Sequence, residues 1–151
     1  MKSIYFLSIL TAIASCNFSG KETEKKTAPP LDTKPVSPVN CYRYANANDT
    51  ISLKLIHVGQ SITGTLVYAL KEKDSNKGTI QGSMKGDLLV AEYTFMSEGM
   101  TSIRQVAFKL EGDHFIEGYG DIFSKDEKTY FKNLDSLSFN TSMKLAEINC
   151  Q

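Results

Sequence analysis

Tryptophan is absent from this 151-residue chain, histidine occurs only twice, and all four prolines fall between residues 29 and 38. Without indole rings, any stacking or pocket-lining role passes to the seven tyrosines and eight phenylalanines. His57 and His114 stand far apart, with no short cysteine or histidine spacing that would complete a tetrahedral metal site, so neither a metal nor another cofactor is expected. Charge of one sign is not in excess either. Seventeen basic side chains balance seventeen acidic ones, which removes the global positive field that nucleic-acid binding normally needs. The chain also lacks a Gly-x-Ser-x-Gly elbow, a His-Glu-x-x-His helix and a Gly-x-x-x-x-Gly-Lys phosphate loop. "DSNKG" (Asp74 to Gly78) begins like a calcium loop, but its glycine comes one position early and no glutamate follows at the required spacing. A non-enzyme is therefore expected.

What is present starts at the amino terminus. Lys2 precedes an apolar run from Ile4 to Ala14, broken only by Ser8 and Thr11, and small residues follow at Ala14 and Ser15. Charge, apolar run and small residues in that order form a secretory signal. The run is well short of the roughly 20 residues that a spanning helix requires. Ile13-Ala14-Ser15-Cys16 resembles the lipobox of bacterial lipoproteins, with isoleucine at the usual leucine position. That resemblance implies cleavage after residue 15 and a diacylglyceryl thioether on Cys16. Each buried acyl methylene contributes about 0.8 kcal/mol, so several chains make a stable anchor. Asn17 in place of aspartate points, by the same resemblance, to the outer membrane, on its periplasmic or its surface face.

Residues 16–40 hold the four prolines and few large apolar side chains. Such a stretch does not bury enough surface to offset its ordering entropy, and it reads as a semi-extended tether. The expected organisation is a signal peptide at 1–15, a lipidated tether at 16–40 and one folded domain at 41–151. That domain has a slight acidic excess, which speaks against a second, electrostatic contact with the membrane.

With Cys16 assigned to lipid, Cys41 and Cys150 remain at the two ends of the folded region. Export places them in an oxidising compartment, where a disulfide is the expected state.

Between those cysteines, short alternating runs are separated by glycine turns. "TISLKL" puts Ile51, Leu53 and Leu55 on one face, and "SITGTLVYAL" does the same with Ile62, Leu66, Tyr68 and Leu70. Lys85-Gly86-Asp87 and Glu111-Gly112-Asp113 are hairpin turns in which glycine supplies positive φ. Eight or nine strands recur at intervals near ten residues, and "SKDEKT" (Ser124 to Thr129) is expected as an exposed turn or a short helix. The expectation is an all-β domain, a single antiparallel meandering barrel of about eight strands, with a β-sandwich as the alternative. The layout resembles the calycin architecture of lipocalins and avidins over about residues 41–150. It lacks the lipocalin Gly-x-Trp signature and avidin's tryptophan-lined pocket, which disfavours biotin.

One segment carries candidate chemistry. Arg104 alternates in phase with Val106, Phe108 and Leu110, so it points inward if they do. Glu92 shares a strand with Tyr93 and Phe95, and Glu98 lies in the following turn. An inward arginine with a carboxylate partner and the rings of Tyr68, Tyr93 and Tyr119 nearby would hold an anionic ligand. The same pattern also fits a structural ion pair closing one barrel end. "HFIEGYG" adds Phe115, Glu117 and Tyr119 in phase on the next strand. The resulting expectation is a membrane-anchored binding module of the cell envelope for a small, partly apolar ligand. The alternative is an interaction or inhibitory lipoprotein with a filled barrel, similar to periplasmic lysozyme inhibitors.

Overall fold

The structure is a computed structural model that describes residues 37–71, 73 and 75–151. The expected signal peptide, Cys16 and most of the expected tether lie outside the described residues. Ten strands form in chain order: β1 (Val39–Ala45), β2 (Thr50–Val58), β3 (Ser61–Ala69), β4 (Asn76–Lys85), β5 (Leu88–Ser97), β6 (Met100–Glu111), β7 (His114–Tyr119), β8 (Ile122–Lys125), β9 (Lys128–Phe131) and β10 (Ser138–Ile148).

Strands β1 to β7 pair consecutively and antiparallel, β7 pairs with β10, and β10 returns to β1. These eight strands close on themselves, so the fold is a barrel and not the alternative sandwich. Closure removes the unpaired edges that an open sheet would expose. The Cys41–Cys150 disulfide ties β1 to the chain just beyond β10, with the two Cα atoms 5.3 Å apart. The same two strands already pair at Cys41↔Ile148.

Alternation in the sequence becomes the wall of the barrel. Ile51, Leu53 and Leu55 from β2, Ile62 and Leu66 from β3, Ile80 from β4, Leu89, Ala91 and Tyr93 from β5, and Val106 and Phe108 from β6 are buried in one core. Intervening residues face outward, as a two-residue side-chain period requires. The expected turns form at Gly86 and Gly112, with φ of 63° and 65°. Inside the barrel, a Cβ added at Gly64 would overlap the Lys54 carbonyl oxygen of the neighbouring strand. Only glycine permits that approach, which is how a strand bends at a barrel corner.

The excursion between β7 and β10 was not expected. β8 and β9 form a short antiparallel hairpin on the barrel's flank, and β9 runs parallel to β6 at Ile103↔Lys128 and Arg104↔Thr129. "SKDEKT" supplies its tip, where Asp126 and Glu127 take positive φ. A single 3-10 turn, Leu134–Ser136, then leads into β10.

The turns at Gly59, Gly86 and Gly112 fall at one end of the barrel with the disulfide. The β1–β2 and β3–β4 loops, the β5–β6 turn and the β8–β9 tip fall at the other end, which is where Arg104 lies.

Candidate functional site

Arg104 sits directly across from Tyr93 in the β5–β6 ladder. Its inward phase brings the guanidinium carbon to 5.3 Å from the ring centre of Tyr68 and 5.7 Å from those of Tyr93 and Phe95. Three ring centres lie within about 6 Å of one cation, the range at which a ring quadrupole attracts it. The rings also pack on one another: Tyr93 stacks on Phe95 at 4.6 Å and meets Tyr68 edge-on at 5.9 Å. Of the expected residues, Arg104, Tyr68, Tyr93 and Tyr119 converge here.

The two expected carboxylates do not join them. Glu92 alternates with the inward Tyr93 and therefore faces outward, where Lys128 Nζ donates to both its oxygens at 3.0 and 3.1 Å. With the Gln105 side chain accepting from the Phe131 backbone N–H at 3.1 Å, that ion pair fastens the β8–β9 hairpin to the barrel wall. Glu98 is exposed in the β5–β6 turn with φ of 50°.

Glu117 of β7 supplies the carboxylate instead, 5% exposed and the most deeply buried acidic side chain among the described residues. Tyr68 Oη donates to its Oε1 at 2.5 Å and Tyr119 Oη donates to its Oε2 at 2.9 Å. The signal for Glu117 was present in the sequence as a glutamate in phase with Phe115, but only cross-barrel packing selects it over Glu92 and Glu98.

A slot in the wall gives access to this cluster. Pairing between β6 and β7 stops at Phe108↔Glu117, while β7 stays with β10 as far as Tyr119↔Ser138. The two strands splay, and β9 fills in beside β6. Between them lies a cavity of about 160 Å³ lined by Arg104, Val106, Glu117, Tyr119, Ile122 and Phe131, among others.

Two polar atoms in the cluster lack a partner. Among the described residues no carboxylate lies within 4.0 Å of the Arg104 guanidinium, and the buried Arg104 Nε and Tyr93 Oη make no hydrogen bond. A buried donor left unpaired costs roughly 1–3 kcal/mol. Tyr93→Phe is therefore expected to stabilise the ligand-free protein by about 1 kcal/mol, read as a higher urea midpoint at unchanged slope. A lower midpoint would mean that the hydroxyl does have a partner.

Burial pushes the Glu117 carboxyl above its ordinary range, and the two tyrosine hydroxyls and Arg104 pull it back without cancelling the rise. Burial and the neighbouring Glu117 also raise the Tyr68 and Tyr119 phenols, and burial lifts Tyr93 to about 12. The raised acid fixes a sign. Native protein holds its proton on Glu117 at pH values where the unfolded chain has released it. The resulting stabilisation is complete below the unfolded value and disappears as pH rises through the folded one. Stability is expected to fall across that window in the wild type, and Glu117→Gln should flatten the fall when unfolding is followed at several pH values.

No family model matches the chain, and comparison with curated proteins and with solved structures finds no match.

Proposed function

We propose that this chain is a lipid-anchored binding protein of the bacterial cell envelope, whose barrel takes a small, partly apolar ligand with an anionic or oxygen-rich head at Arg104. The observation that carries the reading is the state of Arg104, an inward cation beside three rings, lining a slot and paired with no carboxylate among the described residues. An arginine so placed offers directed donors that suit an oxygen acceptor. Val106, Ile122 and Phe131 supply apolar walls for the rest of the molecule. The lipobox-like Cys16 supports an anchor at the amino terminus. The folded domain begins at the disulfide end, so the Arg104 end lies at the far side of the barrel from the chain's point of attachment.

A second reading has one observation in its favour. Ile122 and Phe123 of the flanking hairpin are 57% and 44% exposed, and Tyr119 beside them is 47% exposed, which suits a protein partner at the same end. Native mass spectrometry of the full-length protein, released from membranes in a mild non-ionic detergent, separates the two. The binding reading expects a small extra mass that disappears on denaturation. A bare chain that crosslinks in cells to one protein through the β8–β9 hairpin would replace it with the interaction reading. Incorporation of labelled palmitate, lost in Cys16→Ser, tests the anchor independently.

A further inference from the structure

The slot's chemistry narrows the ligand further, on the footing of the binding reading above. We infer that the slot takes a small monocarboxylic acid as a carboxylate together with one proton, the carboxylate accepting from the Arg104 guanidinium while the proton resides on Glu117.

Three observations lead there. First, Arg104 lines the slot and its guanidinium meets no carboxylate among the described residues, so its N–H groups suit acceptor oxygens. A carboxylate offers two in one plane, matching the arginine fork. Second, the cavity of about 160 Å³ has room for a carboxyl group and a short or aromatic body, and Ile122 and Phe131 on its outer rim give a longer apolar tail a way out between β6 and β7. Third, Glu117 stands in the same lining, 5% exposed. An ionised Glu117 would repel a second carboxylate in a site of low dielectric, where like charges cannot both persist. Protonated, it leaves Arg104 as the only charge facing the anion. Tyr68, Tyr93, Arg104 and Tyr119 are the other titratable groups facing it, from β3, β5, β6 and β7. The phenols are all raised in pKa, so at neutral pH only Glu117 is placed to take up the proton. Binding and protonation are then linked: each acid bound brings one proton with it.

Benzoate is the probe, titrated calorimetrically into the full-length protein in non-ionic detergent from about pH 8 down to about pH 5, in buffers of different ionisation enthalpy. Expected are uptake of one proton per benzoate and an affinity that rises about tenfold for each pH unit lowered while free Glu117 is ionised. Glu117→Gln should bind benzoate with the same affinity at every pH. Benzoate bound without proton uptake, or with a pH dependence that survives in Glu117→Gln, overturns the assignment to Glu117. If benzoate fails to bind while native mass spectrometry shows another molecule in place, the carboxylic-acid class is wrong and the binding reading stands. Failure of both removes both.

Discussion

Removing the Cys41–Cys150 disulfide, as Cys41→Ser with Cys150→Ser, lowers the stability of the domain by about 4–5 kcal/mol. The magnitude follows from the separation of 109 residues between the two cysteines. Joining residues so far apart withdraws a large part of the unfolded chain's freedom, and the loss grows with the logarithm of loop length. In this fold the crosslink also acts where closure is decided. β1 and β10 are the first and last strands, and the ladder between them runs only from Cys41↔Ile148 to Arg43↔Ala146. The other seams of the barrel mostly join strands that are consecutive in sequence and held by short turns. The β1–β10 seam has no such help, so it should open first once the disulfide is gone. Urea unfolding of the oxidised protein and the double-serine variant measures the difference. A loss below about 1 kcal/mol would mean that strand pairing alone closes the barrel, against the entropic estimate.

Phe108→Ala is the second large effect, an expected loss of about 3–5 kcal/mol. Phe108 is fully buried in the last third of β6. Its ring meets Phe115 edge-on at 6.4 Å, and Phe115 in turn meets Tyr42 at 4.8 Å, so one chain of rings links β6, β7 and β1 across the interior. Truncation forfeits the transfer energy of the ring and leaves a hole that closed strands cannot collapse to fill. Phe108↔Glu117 is also the register pair at which β6 and β7 begin to splay. The variant should therefore loosen the slot as well as the core, seen as faster hydrogen exchange at Arg104, Gln105 and Glu117 than at β2 and β3. A loss confined to about 1 kcal/mol would place Phe108 outside the principal core.

These sites differ in how far the sequence discloses them. Strand phase is a local property with a period of two, so "TISLKL" and "RQVAFKL" announce which side chains point inward, Arg104 among them, and glycine turns at Gly86 and Gly112 mark the hairpins. Cysteine count and position announce the closing disulfide. Neither signal reaches across the barrel. Glu92 and Glu117 are both single glutamates on β-like runs beside aromatic residues, and only the phase of each strand against its neighbours turns one outward to Lys128 and the other inward to Tyr68. The β8–β9 hairpin was concealed for a different reason. "DIFSKDEKTYF" reads as two ordinary strands and a turn, and nothing local states that they leave the meander, that the second pairs parallel to β6, or that β6 and β7 separate. That departure creates the slot. A fold read strand by strand therefore yields the barrel and one half of the site, while the carboxylate and the opening belong to long-range pairing.

The central claim is that Arg104 holds a ligand, and its Nε–H reports on that most directly. With ¹⁵N in the arginine side chains and Arg104→Met to assign the resonance, the Nε–H signal can be compared in protein as isolated and after unfolding, dialysis and refolding to strip bound small molecules. The account predicts a shifted, slowly exchanging Arg104 Nε–H in the isolated protein that relaxes on stripping and returns when the extracted small molecules are added back. An Arg104 Nε–H unchanged by stripping and by add-back would contradict it, and would make Arg104 a structural cation that braces the aromatic rings at one end of a filled barrel.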